Sequence, residues 1–578
     1  MSRAPSDRAL GAGLVLLTLI AWIPALGGGF VYDDHRFITS NEHLETIDPL
    51  TYLTSREAVS SAYDQQADIY RPLRTLSYAI DRAFFDLEPF GYHLSSCLLH
   101  ALNVAMVLAL LRALTVPPGL AAAAAAVFAL HPVQVEAVAW ISGRADVLVT
   151  SLVLAATLTF ARARRGDLPM AGAFIVLAGA ALLAKENALV LVPLLLVTEP
   201  FWPKPASAKR TRAALWLTGI AVSVGYWMLR ASVLDRETVS QRPLFGGDWL
   251  THLGYAVNGW ARYVQLLVWP SPLATSYPTD TFAPEASRLL GSILTLIVAG
   301  GVILWTARQK RIALWTASWF AVALAPVSQL GVVLQSVINE RSLYLPAVGG
   351  VFAVVLMADR LLARASIRPS QRAVAASLLL LVALWQTWDR VEDWHSDRTL
   401  WFAEIESHPN DPAALFGYAA ALLAEDRDTE AMPALQRLVN EPRFEGTPQG
   451  AFANYELAWL DLEARRFDSA LQRYERVYRT WSRSGAPDPA VAAELADRLG
   501  RLAERRLAAE PVGSSRGVAL ATLLTELQPK VARHWTNLIA RLTATERSDE
   551  VAATLDRAGI SGLTAEELAA LRELAERQ

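Results

Sequence analysis

About eleven apolar runs crowd the first two thirds of the chain, and they dictate the solvent in which it folds. They lie at about residues 9–26, 94–111, 119–130, 146–160, 171–184, 187–199, 213–231, 288–305, 312–327, 343–362 and 373–388. Continuous runs of roughly 15 to 25 apolar residues match helices that cross a hydrocarbon core, whereas the strands of an outer-membrane barrel alternate over roughly ten. Several of these runs are short for a bilayer. From His395 to Gln578 the sequence is ordinary soluble sequence rich in Glu, Arg and Asp. The pattern therefore predicts an all-α chain, with a polytopic membrane domain over 1–392 and a helical domain over 393–578. Of the 578 residues 53% are hydrophobic and 19% charged, against roughly a quarter charged in soluble proteins. That balance excludes a cytoplasmic enzyme and a collagenous or disordered chain. A net charge of -3 argues against a nucleic-acid partner, and the single cysteine, Cys97, allows no disulfide within the chain.

Orientation follows from the loops, because Lys and Arg gather on the cytoplasmic side. Arg3 and Arg8 precede the first run. Arg162, Arg164 and Arg165, then Lys204, Lys209, Arg210 and Arg212, then Arg308, Lys310 and Arg311, then Arg360, Arg364, Arg368 and Arg372 all fall inside if the N-terminus is inside. The segment from His252 to Trp269 is apolar enough for a twelfth span, but counting it throws Arg308 to Arg311 outside. It is expected as an interfacial or re-entrant helix ended by Pro270 and Pro272. An odd number of spans leaves the C-terminal domain outside the inner membrane of a bacterium.

Polar residues then mark the outer face. The first outer loop opens with Gly28-Gly29-Phe30-Val31-Tyr32-Asp33-Asp34-His35; Asp33 and Asp34 could supply a general base, or form a solvated turn or cap, which is the plainer reading of two aspartates alone. His93, Ser96, His100 and Asn103 are spaced to share one helix face, either for a ligand or for hydrogen bonds between helices. His131-Pro132 ends a run, and Gln134, Glu136, Arg144 and Asp146 follow, the last two a possible ion pair. Lys185-Glu186-Asn187 interrupts apolar sequence from Ala171 to Val197, so the turn sits below the outer surface, as a functional lysine or a mutually neutralised pair. Arg71, Arg74 and Arg341 add cations. Several cations and a carboxylate pair on one face suit an anionic lipid head group and a neutral acceptor.

The stretches Phe30-Val31-Tyr32-Asp33-Asp34, Tyr70-Arg71-Pro72-Leu73, His131-Pro132 through Glu136-Ala137-Val138-Ala139-Trp140 and Arg144-Ala145-Asp146, Lys185-Glu186, and Glu340-Arg341-Ser342-Leu343-Tyr344-Leu345-Pro346 resemble the transmembrane and TPR repeat-containing O-mannosyltransferases. They resemble equally the bacterial relatives of those enzymes in the GT-C glycosyltransferase superfamily. The resemblance covers about residues 1–390 in the right order. It implies a GT-C-like enzyme that takes sugar from a polyprenyl-phosphate donor on the outer face of the membrane. On that resemblance Asp33 and Asp34 correspond to the acidic motif of the first outer loop, which serves catalysis. A carboxylate of the pair would deprotonate an acceptor hydroxyl that attacks the anomeric carbon with inversion. Arg71, Arg144, Lys185 and Arg341 are the expected phosphate contacts, with His93, His100, His131, Glu136 and Glu186 as secondary candidates. No cofactor is expected; no ligand cluster calls for a divalent cation, which stays an option. The animal enzymes carry longer TPR arrays, and the sugar is not specified.

Past Trp394 the spacing predicts paired amphipathic helices over 411–441 and 451–478, with a break near Asp426 to Asp428 and a further unit from Trp535 to about Ala558. Small, bulky and apolar residues at the offsets of TPR helix pairs suggest a TPR-like solenoid, the alternative being an unrelated helical bundle. Such a domain would hold an acceptor protein or peptide, for transfer to Ser or Thr. A glycolipid or cell-surface polymer is the alternative acceptor. A lipid-linked sugar transporter is the rival class, but the internal repeat usual in transporters is absent from the sequence. The loop charges make one prediction: cysteine-accessibility labelling should place residue 310 on the face opposite Asp33 and the C-terminus. Finding residue 310 and the C-terminus on one face would overturn the odd span count.

Overall fold

The computed structural model describes residues 7–60, 69–203, 209–234, 242–365, 367–484, 489–545 and 547–577. Arg3 and Lys204, two of the expected inner-side cations, lie outside them. Among the described residues every regular element is helical, and the chain divides into two compact units, Met1–Pro409 and Asn410–Gln578.

The principal helices of the first unit are α1 (Asp7–Ala21), α2 (Pro72–Phe85), α3 (Pro89–Ala113), α4 (Pro118–Leu130), α5 (Arg144–Ala163), α6 (Leu168–Ala184), α7 (Leu191–Thr198), α8 (Lys209–Val233), α9 (Trp249–Val268), α10 (Ala286–Ala307), α11 (Ile312–Leu324), α12 (Ala347–Arg364), α13 (Pro369–Asp393) and α14 (Asp397–Ser407). Proline at the first turn starts several of them, where its missing N–H costs nothing.

This is the helical unit of a multi-pass membrane protein. The expectation of about eleven full spans is not met by helix length, however. Among the described residues five helices are long and apolar enough to cross a bilayer, and α4 with Pro132–Val138 makes a sixth if that pair, bent by 54°, is one span. The other runs make shorter helices because charge or proline stops them. Lys185-Glu186 cuts one run into α6 and α7, and α11 gives way at Pro326 to a tight turn. The segment expected as an interfacial helix is α9. Asp248 caps its start, Oδ1 accepting from the amides of Leu250 and Thr251, both at 3.0 Å. Its tyrosine-rich face is buried against Phe282, Val337 and Leu343.

The early end of α4 organises the centre of the unit. Pro132 prevents the helix from continuing, so its last carbonyls need donors from elsewhere. Three other segments provide them: Trp22 Nε1 donates to the Ala129 carbonyl at 2.9 Å, His100 Nε2 to the same oxygen at 3.1 Å, and Thr387 Oγ1 to Leu130 at 2.9 Å. Those contacts pin α3 and α13 around the segment that carries Glu136, Ser142 and Arg144.

The second unit is a succession of helices, Pro412–Ala424, Asp428–Asn440, Pro448–Glu463, Phe467–Ser484, Pro489–Ala509, Ser515–Leu527, Ala532–Ala544, Ser548–Gly559 and Ala565–Arg577. The first break falls at residues 425–427, where Asp426 takes a left-handed conformation (φ 58°). Small residues such as Ala458, Ala470 and Ala521 let neighbouring helices close on Tyr474, Leu499 and Leu524.

Candidate active site

The acidic motif of the first loop is held by both ends of its neighbours. Gly29 N donates to the His395 carbonyl at 2.9 Å, and Asp397 accepts from Tyr32 N and from His35 Nε2, both at 2.7 Å. The hydrogen bond that His35 donates to Asp397 keeps its imidazole protonated above the ordinary range. Gly28 and Gly29 matter here for close approach, since a Cβ would lie 3.0 Å from the His93 ring and 3.3 Å from the His395 carbonyl. The left-handed residue is Tyr32 (φ 55°), a conformation that a bulky side chain adopts only when its surroundings enforce it. Its ring, 43% exposed, lies 5.7 Å from Trp140 and 5.3 Å from Trp401.

The two aspartates differ. Asp34 is fully buried and accepts from Val31 N at 3.2 Å, Ser142 N at 2.7 Å and Ser142 Oγ at 2.5 Å. It is a brace between two loops and not the solvated turn that two aspartates alone suggest. Burial pushes its carboxyl up to about 7 despite those donors. Asp33 is half-buried beside Tyr32 and within the field of Arg74.

Four cations that the sequence singles out are each matched to a carboxylate, and never to the adjacent one. Lys185 Nζ donates to both oxygens of Asp146, at 2.6 and 2.7 Å, so Lys185 and Glu186 do not neutralise one another. Arg71 takes Glu186 in a fork, Nε at 3.1 Å and Nη2 at 2.6 Å. Arg341 binds Glu136 through its guanidinium and, at 2.7 Å, through its backbone amide. Arg144 does not pair with Asp146: its guanidinium binds Asp81, Ser96 Oγ at 3.1 Å and the Tyr92 carbonyl at 2.5 Å, with no exposed surface. Crossing the pairs this way ties the first loop to the segment after α6, α5 to that same segment, and the 340s to the turn after α4.

Arg71, Lys185, Glu186, Asp146 and Arg341 thus form one electrostatic cluster, which Glu136, Tyr32 and Asp33 extend. Arg144 stands apart from it, and so do the histidines. His93 meets the Gly29 carbonyl at 3.3 Å, His131 Nε2 donates to Leu267 at 3.2 Å, and His100 shares the Tyr344 hydroxyl (2.6 Å) with Asn103 (3.1 Å). The polar stripe of α3 therefore joins helices. Ser142, Asp81 and Asp397 were not among the sequence candidates; nothing about a lone Ser or Asp distinguishes it before its partner is known. Glu340 is likewise fully buried, accepting from Ala274 N at 2.5 Å and Tyr277 Oη at 2.7 Å, and burial lifts its carboxyl to about 7 against the pull of Arg390.

No family model matches the chain. A protein O-mannosyl-transferase of Caenorhabditis elegans is 24% identical over 430 residues, 70% of this chain and 60% of its own length. One of Drosophila melanogaster is 27% identical over 531 residues, 77% of this chain and 56% of its own, and one of Mus musculus is 24% identical over 76% and 51%. The chain is a distant relative of these protein O-mannosyl-transferases. It spans little more than half the length of the curated relatives it matches. Among solved structures, ArnT from Cupriavidus metallidurans bound to undecaprenyl phosphate aligns with 94% of this chain and 79% of its own at 14% identity, with a TM-score of 0.33.

Two measurements test the site's construction. Arg144→Met or Asp81→Asn leaves one buried charge unpaired and should cost about 3–5 kcal/mol of stability, read as a large fall in detergent melting temperature. For Asp34 the native carboxyl holds its proton to about 7, whereas the unfolded one releases it near 3.8. The native state thus binds the extra proton, and its stability is greatest below that window and declines as pH rises through it. The limit is about 1.4 kcal/mol per pH unit for one proton. The melting temperature should fall between these pH values, and Asp34→Asn should flatten part of that slope; an unchanged slope would place the protonation elsewhere.

Proposed function

We propose that the chain is a glycosyltransferase that moves a sugar from a polyprenyl-phosphate donor to a hydroxyl acceptor on the outer face of the membrane. The observation that carries this is the meeting of the Arg71, Lys185 and Arg341 pairs in one cluster that acts on Tyr32, the neighbour of Asp33, in a distant relative of the O-mannosyl-transferases. A carboxylate beside a group of cations has the two components that inverting transfer requires. The Asp33 carboxylate takes the acceptor proton while the acceptor oxygen forms its bond to the anomeric carbon. The bond from that carbon to the phosphate oxygen breaks, and the cations stabilise the departing lipid phosphate. Asp33, half-buried beside Tyr32, suits the base; Asp34, committed to Val31 and Ser142, positions the loop. Arg71 and Arg341 keep guanidinium edges beyond those used by Glu186 and Glu136, and guanidinium binds phosphate in a fork. Arg144, enclosed by Asp81, Ser96 and Tyr92, holds the scaffold.

The sugar of this reading is mannose and the acceptor a protein hydroxyl, both taken from the names of the relatives, with Ser or Thr as the side chains that supply it. Eleven crossings, with the shorter helices completing them and the C-terminal helices outside a bacterial plasma membrane, put the repeats and Asp33 on one side. The repeats, read as TPR-like, would hold an acceptor segment in their concave face.

The test uses the reconstituted protein with polyprenyl-phosphate-linked mannose and a hydroxyl acceptor. Asp33→Asn should lower turnover by about two to four orders of magnitude with little change in melting temperature. Asp34→Asn should lower both. Near-normal turnover in Asp33→Asn would move the base elsewhere, and no transfer by the wild-type chain from any polyprenyl-phosphate sugar would remove the reading.

A further inference from the structure

Tyr226, near the end of α8, is 5% exposed, and its ring lies 6.2 Å from that of Tyr70 at a tilt of 39°. Its hydroxyl oxygen is closed off from solvent and, among the described residues, meets no donor or acceptor. A buried hydroxyl without a partner destabilises a fold, and phenylalanine would fill the same space without that cost. Packing explains the ring but not the oxygen. Other unpartnered buried groups of the first unit, such as the indole N–H groups of Trp202 and Trp394, come with rings whose size is itself the reason for the residue.

The surroundings say what the hydroxyl awaits. Tyr70 directly precedes Arg71, and the charges that act on Tyr226 are those of Glu186, Arg230 and Arg71. Each oxygen of Glu186 accepts from Arg71, the Tyr226 hydroxyl reaches neither of them, and a guanidinium cannot accept a hydrogen bond. The fork leaves Nη1 of Arg71 unspent. An unbonded neutral O–H packed on Tyr70, within the field of an Arg71 that keeps one guanidinium edge, offers two donors to an incoming ligand, and the chemical complement is an acceptor-only anion, a phosphate oxygen above all. A neutral donor also adds no charge to be desolvated within an apolar helix.

We propose that the Tyr226 hydroxyl donates a hydrogen bond to the phosphate of the polyprenyl-phosphate donor, seated against Arg71. The inference rests on the donor class proposed above. The leaving phosphate gains negative charge as its bond to the anomeric carbon breaks, so the same hydrogen bond strengthens along the reaction and acts on turnover as well as on affinity.

The experiment measures binding of undecaprenyl phosphate and of undecaprenol, which lacks the phosphate, to the full-length protein in lipid nanodiscs. Tyr226→Phe should weaken binding of the phosphate lipid roughly tenfold, leave the alcohol unaffected, and keep or raise the melting temperature. Unchanged phosphate-lipid binding in Tyr226→Phe, with Arg71→Lys still weakening it, would overturn the role of Tyr226 and leave the donor class standing. An equal loss for both lipids would make the hydroxyl a packing element and also overturn it. Wild-type protein that binds the phosphate lipid no better than the alcohol would remove the donor class, and this inference with it.

Discussion

A helix that stops among apolar side chains must find donors for its last carbonyls, and the first unit is built around one such stop. Pro132 ends α4 at Leu130, and Trp22, His100 and Thr387 satisfy the carbonyls left behind. Those three side chains come from segments far apart in the chain, so the stop fixes their positions relative to one another. It also sends the chain from residue 131 through a short irregular passage that brings Glu136, Ser142, Arg144 and Asp146 into reach of the first loop, α2 and the turn at Lys185. A continuous helix over 118–138 would place none of these groups where it is.

Charge pairing then decides how the pieces lock. An isolated charge in such surroundings is costly, and a pair is tolerated only with good geometry and further hydrogen bonds. The structure meets that condition by joining partners remote in sequence: Arg71 with Glu186, Lys185 with Asp146, Arg341 with Glu136, Arg144 with Asp81. Pairs of this kind add little net stability against apolar replacements of equal size. They restrict the number of ways the helices can be assembled, because any register that separates one pair strands two charges. Arg144 is the extreme case, a guanidinium with four protein partners and no exposed surface.

The helical class, the membrane character and most of the cluster were legible in the sequence because they depend on residue type and local spacing. Apolar runs, prolines and intramembrane charges announce themselves one segment at a time. Span length was less legible: a run of apolar residues does not reveal that Lys185 turns the chain or that Pro326 ends a helix early. Partnership was not legible at all. Lys185 and Glu186, or Arg144 and Asp146, are neighbours in the chain, and proximity suggested pairs that the fold breaks in favour of more distant ones. The same limit hid Ser142 and Asp397, whose importance lies in what they hold.

The adjacent aspartates show how a fold separates two identical side chains. Asp34 points inward, receives three hydrogen bonds and carries a carboxyl lifted to about 7 by burial. A group so enclosed cannot reach an acceptor hydroxyl without giving up the Ser142 contacts that place the loop. Asp33 follows a residue forced into the left-handed region and is half-buried where Asp34 is enclosed. The strain at Tyr32 is balanced by Asp397 on its amide and by Trp140 and Trp401 around its ring. One aspartate is thereby spent on holding the loop, while the other keeps a half-buried place beside Tyr32.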